Sequence, residues 1–249
     1  MKSRIILCVM LFARVSVFGD DDAINEWLAK QPIKVGEKTN DDVVFFGSDL
    51  TLMHFAAMDG RIDVIQWLKE KGERINAKCD DNGFTPMHMS AFGPRFIEFM
   101  RWSNDGRYTE DSMSMPISLM PRDCNLEAMK WFINQGVDIN SKISDGSMIM
   151  HFAAYSGNLE AMKFAKDQGV DLNIKNNHGK TPLDFAHEML EGTQQEAEQF
   201  QQRSESESFQ NCSEDIILSG GIMIRAILQD IKECVKWLEE NGAVSGEEE

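Results

Sequence analysis

The feature that most constrains this chain is a repeat of 33 residues. The segment Asn-Leu-Glu-Ala-Met-Lys at 125–130 recurs unchanged at 158–163, and an aromatic residue follows each copy. Two more segments, 61–67 and 231–237, also end on an aromatic. A glycine lies five residues after each aromatic, at Gly72, Gly136, Gly169 and Gly242. A unit this short cannot bury its own apolar face, so successive units are expected to stack side by side.

A second motif precedes each of these segments. Its four copies are Thr51-Leu-Met-His54, Thr85-Pro-Met-His88, Met148-Ile-Met-His151 and Thr181-Pro-Leu-Asp184. Threonine suits a helix N-cap, proline suits the first helical position, and glycine permits the turn after a helix. Each unit is therefore predicted to be an inner helix, opened by this motif, followed by an outer helix that ends before the glycine. The turn that leads to the next unit is called a finger below.

The paired motifs resemble the ankyrin repeat. The resemblance implies an all-α solenoid of stacked helix pairs over 51–249, with about four repeats. In that family the motif histidine ties the turn together by hydrogen bonds. The third repeat has Met148-Ile149 where Thr-Pro is expected, so its inner helix should begin with a poorer cap. The fourth repeat has Asp184 in place of the histidine.

Two of the repeats are enlarged. In an uninterrupted unit the motif histidine and the start of the outer helix are seven residues apart, as in His54 and Arg61. The same spacing is 37 residues in the second repeat and 47 in the fourth. Insertions of 30 and 40 residues are therefore predicted near 94–124 and 191–230, between the two helices of each repeat.

The two insertions differ in composition. The first is rich in methionine and aromatic residues, including Trp102, so it is expected either to pack against the stack or to contact a ligand. The second begins with sequence rich in Gln, Glu and Ser, which predicts a helical extension followed by a mobile loop.

The N-terminus has the pattern of a signal peptide. Lys2 and Arg4 precede an apolar run at 5–12, and small residues at Val17 and Gly19 fit a cleavage site. A membrane anchor and a buried helix are the alternatives, but the run is much shorter than the roughly 20 residues that span a bilayer. Residues 1–19 are therefore predicted to direct export to a periplasm or the extracellular space.

Residues 20–50 are predicted to cap the open N-terminal end of the stack, since a lone outer helix fits near 23–29. If the N-terminus were misread as a signal, an intracellular scaffold would be the alternative.

Charge disfavours several classes of partner. The chain has 41 acidic and 25 basic residues, and cleavage after Gly19 would remove three basic residues and no acids, changing the net charge from −16 to −19. Nucleic acids and anionic membranes bind through basic contacts, so a neutral or basic protein is the expected partner. No stable membrane insertion is expected after cleavage.

Four cysteines would remain after export: Cys79, Cys124, Cys212 and Cys234. Four cysteines allow three disulfide connectivities, and all of them stay open, as does the absence of any bond. No two lie at CxxC spacing, so neither a metal nor a cofactor is predicted.

Candidate contact residues come from two surfaces. In the ankyrin family the inner-helix position four residues after the histidine faces the concave groove, and here it holds Met58, Phe92 and Tyr155. The fingers and the first insertion add Asp81, Asn82, Phe84, Asp145, Asn177, His178 and Trp102. The alternatives are that a neighbouring repeat or an insertion covers the strip, and that the fingers are solvated turns.

No catalytic motif is recognisable, so the chain is predicted to be a non-enzymatic protein-interaction module. The alternative from another class is a structural component of the cell envelope that acts through self-association.

Overall fold

The structure is a computed structural model that describes Ile24, 50–79, 82–92, 124–204 and 214–246. The chain divides into two units, Met1–Phe45 and Phe46–Glu249, and Ile24 is the described residue of the first. The predicted signal peptide and nearly all of the capping segment lie outside the described residues. Most of the first insertion, with Trp102, lies outside them as well.

The described residues of the second unit contain four inner and four outer helices. The inner helices are α1 (Leu52–Met58), α3 (Pro86–Ser90), α5 (Ile149–Tyr155) and α7 (Pro182–Ser204). The outer helices are α2 (Ile62–Glu70), α4 (Cys124–Asn134), α6 (Leu159–Asp167) and α8 (Glu214–Glu240). Within these ranges every regular element is helical, which confirms the predicted fold class.

The helix pairs stack in chain order. Each inner helix packs against the next inner helix, from α1 through α7, and each outer helix packs against the next outer helix, from α2 through α8. The two near-identical segments therefore form adjacent rungs, α4 and α6. The four glycines after the outer helices all have positive φ, between 82° and 88°, as their position in the motif predicts.

Asparagine side chains join two of the outer helices, α4 and α6, to earlier repeats. Asn125 Nδ2 donates to the carbonyl oxygens of Met58, at 2.8 Å, and of Phe92. Asn158 Nδ2 donates to the Ala91 carbonyl oxygen at 3.0 Å, while its Oδ1 accepts from the amide of its own helix. These amides satisfy buried carbonyl groups at the ends of inner helices, where a helix has no partners of its own.

The inner helix of the third repeat has a poorer cap, at Met148, than the first two repeats have, as predicted. In the first two repeats a threonine hydroxyl lies within hydrogen-bond distance of histidine Nδ1, at 2.9 and 2.8 Å. Met148 offers no hydroxyl, so the His151 ring accepts from the Met148 amide alone, at 3.1 Å. The Met148 side chain is buried, so it contributes apolar packing where a threonine would contribute a hydrogen bond to the cap.

The second insertion is built mainly as longer helices. The predicted helical extension is confirmed, since α7 continues to Ser204. The returning helix α8 begins at Glu214, so most of the inserted residues are helical, and 205–213 lie outside the description. Helices α7 and α8 pack together over buried side chains that include Phe200, Met223 and Ile227.

Lysine and tryptophan pairs join neighbouring outer helices. Lys69 Nζ of α2 lies 5.6 Å from the ring centre of Trp131 in α4. Lys166 Nζ of α6 lies 5.4 Å from the ring centre of Trp237 in α8, and it also donates to the side chain of Asn241. Each contact adds a cation–π attraction across a repeat boundary.

Candidate protein-binding surface

The motif histidines are structural links between repeats. The Nε2 atoms of His54, His88 and His151 lie 3.2, 2.9 and 3.2 Å from carbonyl oxygens of the following finger. Because each carbonyl can only accept, Nε2 carries the proton and donates. In each ring Nδ1 accepts from the amide at the start of its own helix. Each histidine thus holds its own turn and the next one.

Burial keeps these three rings neutral. Desolvation lowers the pKa of His54 and of His151, and it lowers the pKa of His88 to about 4. A buried imidazolium would lose hydration and the acceptor role of Nδ1, so protonation opposes the fold. The predicted role of the motif histidine in tying the turn is present in three repeats.

The predicted groove strip is mostly covered. Met58 and Phe92 are only 6% and 2% exposed. The ring of Phe92 lies 5.7 Å from that of Phe152, which belongs to the inner helix of the next repeat. Phe84, predicted from the finger, is 9% exposed and lies 5.0 Å from the same ring. Side chains with so little exposed area belong to the core, and they offer a partner very little surface.

Tyr155 differs from the rest of the strip. Its side chain is half-buried, and its ring contacts Phe185 at 6.3 Å between centres in an edge-to-face arrangement. Burial first, and then the negative charge of Glu188, raise the pKa of Tyr155 to about 12. The hydroxyl therefore keeps its proton at neutral pH.

The fingers form a rigid ladder. The amide of Ser144 donates to the Asn82 carbonyl oxygen at 2.9 Å, and the amide of Asn177 donates to the Asp145 carbonyl oxygen at 2.8 Å. The Asn177 side chain adds a bond to the Ser144 carbonyl oxygen at 3.2 Å. Finger positions are fixed by backbone bonds between repeats, so exposed side chains on them are held in place.

Exposure separates the predicted finger residues. Asn82, Asn177 and His178 are exposed. Asp145 is half-buried, and its carboxylate accepts from the Ser147 amide at 2.8 Å and from its hydroxyl at 3.0 Å. Its charge therefore stabilises its own turn. Asp81 and Trp102 lie outside the described residues.

The structure contains an ion pair between a finger and the groove that the spacing of the motifs did not predict. Lys180 of the third finger pairs with Glu188 of α7, and both side chains are about half exposed. The negative charge of Glu188 also raises the pKa of the Tyr155 hydroxyl. The repeat pattern locates both residues but not their contact, because they are eight positions apart and are joined by the turn into α7.

No metal or cofactor site was predicted. Within the described ranges, no three His, Cys, Asp or Glu side chains are grouped to hold a metal ion. Cys79 and Cys234 are both buried, and desolvation raises the pKa of the Cys234 thiol. Cys212 and the side chain of Cys124 are outside the description, so the disulfide alternatives stay open. None of the described helices is both long enough and apolar enough to cross a membrane.

Two family models match the repeat region. The model described as ankyrin repeats (many copies) matches residues 53–102, and the model described as ankyrin repeats (3 copies) matches residues 119–197. The chain is an ankyrin-repeat protein. No curated protein matches it. Ankyrin repeats are protein-interaction modules and are typically non-enzymatic, so the expected partner of this ankyrin stack is a protein.

Proposed function

We propose that this ankyrin stack is an exported binding protein that holds a neutral or basic partner protein against its fingers and the C-terminal half of its groove. The proposal rests on one observation above all. The exposed side chains of Asn82, Asn177 and His178 stand on fingers whose backbones are bonded to one another. Preorganised polar groups of this kind bind without a large loss of conformational entropy.

The groove contributes a smaller patch than the sequence pattern suggests. Tyr155 is the half-exposed member of the predicted strip Met58, Phe92 and Tyr155, and the Lys180–Glu188 ion pair lies beside it. A tyrosine with a protonated hydroxyl combines apolar area with a hydrogen-bond donor, which is typical of residues that anchor protein interfaces. Met58, Phe84 and Phe92 lie in the core and are not part of this patch.

The charge of the chain supports the type of partner. A net charge of −16 makes long-range attraction to a basic protein favourable and attraction to nucleic acid unfavourable. The association rate with the partner is therefore expected to fall as salt is raised.

A capture experiment tests the surface. The wild-type chain and a triple variant, Asn82→Ala, Tyr155→Leu and His178→Ala, are used as bait in an extract of the native compartment. Leucine keeps apolar contact with Phe185 while removing the ring and its hydroxyl. A partner retained by the wild-type chain and lost by the variant is the expected result.

A control variant carries alanine at three exposed positions of the outer helices, Gln66, Asn134 and Lys232. It is expected to retain the partner, and circular dichroism should give all three chains the same helix content. Equal capture by both variants would refute the proposed surface. A chain that captures nothing and forms larger assemblies with rising concentration would favour the envelope component instead.

Export is proposed from the N-terminal pattern alone. The mass of the chain recovered from the producing cells tests it, with a mature form that begins at Asp20 expected outside the cytoplasm. Recovery of a chain that still begins with Met1 in the cytoplasm would refute export without affecting the binding surface.

A further inference from the structure

In the fourth repeat the hydrogen bond between the motif position and the segment after the outer helix is reversed. In the first three repeats a histidine donates from Nε2 to a carbonyl oxygen of the next finger. Asp184 occupies the same motif position, and a carboxylate can only accept. The segment that follows the last outer helix must therefore present N–H and O–H groups to this position.

Residues 244–246 present those groups. Asp184 Oδ1 accepts from the Ser245 hydroxyl at 2.6 Å, and Oδ2 accepts from the Gly246 amide at 2.9 Å. Oδ2 also accepts from the Thr181 amide at 2.7 Å, so the carboxylate still caps its own helix. The Thr181 hydroxyl lies 2.9 Å from both Oδ2 and the Val244 carbonyl oxygen and shares its proton between them.

Further contacts fit this segment against the third finger, and one of them is a hydrogen bond from Lys175 Nζ to the Gly246 carbonyl oxygen at 3.5 Å. The amide of Val244 donates to Asn173 Oδ1 at 2.9 Å, and Asn173 Nδ2 donates to the Gly242 carbonyl oxygen at 3.3 Å. A Cβ atom added to Gly246 would lie 2.0 Å from the Gly179 carbonyl oxygen. The backbone of Gly246 therefore rests directly on the tip of the finger, and only glycine fits there.

Polar contacts, and very little apolar burial, hold the segment in place. The side chain of Val244 is 39% exposed, and Ser245 and Gly246 are half-exposed. A few hydrogen bonds with little buried area contribute a small free energy, so a segment held in this way can open without unfolding the repeat that carries it.

We propose that residues 244–246 form a detachable clasp that fixes the tip of the third finger, and that Asp184 is the positioning residue that keeps the clasp closed. The finger tip, residues 176–180, lies between the clasp and the rest of the stack. Closure holds the Gly179 carbonyl in place, and opening frees the finger to move. This inference concerns the fold and does not depend on the proposed function.

Amide hydrogen exchange, followed by NMR on the full chain, tests the clasp. The amides of Gly246 and Val244 are bonded to the side chains of Asp184 and Asn173, whereas the amide of Ala243 is bonded to a backbone carbonyl at the end of α8. In Asp184→Asn the Gly246 amide is expected to exchange roughly ten- to a hundredfold faster, because its charged acceptor is lost. The Ala243 amide should keep its rate.

A second variant opens the clasp by another route. Gly246→Ala leaves the carboxylate intact but forces a methyl group against the Gly179 carbonyl oxygen. It is expected to raise the exchange rates of the amide at position 246 and of the Gly179 amide, which bonds to the Asn176 carbonyl oxygen within the finger. Glu191→Gln, an exposed carboxyl-to-amide change on α7, is the matched control and should leave all these rates unchanged.

Unchanged exchange of the amide at position 246 in both variants would overturn the clasp. Faster exchange at position 246 with an unchanged Gly179 amide would overturn the action of the clasp on the finger. If Asp184→Asn also raised the exchange rate of the Ala243 amide, the substitution would have loosened the whole repeat. The result for Gly246→Ala alone would then decide whether the clasp exists.

Discussion

Acid should weaken this protein through its buried histidines, and His88→Asn isolates the largest effect. The His88 side chain is 2% exposed. Its Nδ1 accepts from the Thr85 amide at 3.1 Å, and its Nε2 donates to the Ser141 carbonyl oxygen at 2.9 Å. A proton added to Nδ1 would destroy the first bond and leave a buried charge without a counter-ion in these contacts.

The sign and size of the pH effect on stability follow from the pKa of His88 in the folded and the unfolded chain. Burial lowers the pKa of His88 from 6.5 to about 4 in the folded chain. As pH falls from about 6.5, the unfolded chain takes up the proton first, so the free energy of unfolding falls until pH reaches about 4. A shift of this size corresponds to about 3 kcal/mol. The contribution is complete above pH 6.5 and is lost in acid.

Urea unfolding followed by circular dichroism measures the effect between about pH 7.5 and about pH 4.5. Near neutral pH the variant His88→Asn should be less stable than the wild-type chain by about 1–3 kcal/mol, because the Ser141 carbonyl loses its donor. That difference should shrink in acid and approach zero or reverse, since the variant has no buried ring to protonate. Titrations common to both chains cancel in the difference.

His178→Gln is the control, because this imidazole is exposed on a finger. Its stability should follow that of the wild-type chain at every pH. A difference between His88→Asn and the wild-type chain that stays constant from neutral pH to acid would refute the reasoning.

Three other substitutions are expected to lower stability, each by a different route, and urea unfolding at neutral pH measures all of them. Gly146→Ala places a methyl group 2.4 Å from Asn177 Oδ1 at a φ of 81°, which should cost about 1–3 kcal/mol. Asn125→Ala leaves two buried carbonyl groups without their donor and should cost about 2–4 kcal/mol. Lys166→Met removes the cation over Trp237 and should cost about 0.5–1 kcal/mol.

Each of these substitutions has a matched control in the same protein. Gly72→Ala has a φ of 88° but meets no atom within 4 Å, so it should cost about 1 kcal/mol from backbone strain alone. Asn134→Ala changes an exposed asparagine, and Lys130→Met changes a lysine whose partner is an exposed glutamate. Both should stay within about 0.5 kcal/mol of the wild-type chain. A control as destabilising as its paired variant would contradict the corresponding contact.

Much of the fold could be predicted because the repeat signals are local. Thr85 and Pro86 begin an inner helix, and the glycine at 136 ends an outer one, through interactions within one or two turns. The spacing between motifs then fixes which helices are neighbours. The predicted neighbours α4 and α6 pack together for this reason.

The candidate surface was predicted less well, because exposure depends on residues far away in the sequence. Phe92 occupies a groove position by its spacing, yet Phe152, sixty residues later, covers it. Tyr155 has the same position in the next repeat and remains half-exposed beside Glu188. Equivalent positions in successive repeats have the same place on the backbone but different neighbouring side chains.

By itself the sequence determined the period, the helix boundaries and the order of the stack, since caps, turns and apolar spacing act over a few residues. Only the tertiary structure decided which apolar side chains are buried, and that Asp184 bonds to residues 245 and 246. Those outcomes depend on contacts between segments about 60 residues apart, and no local pattern specifies them.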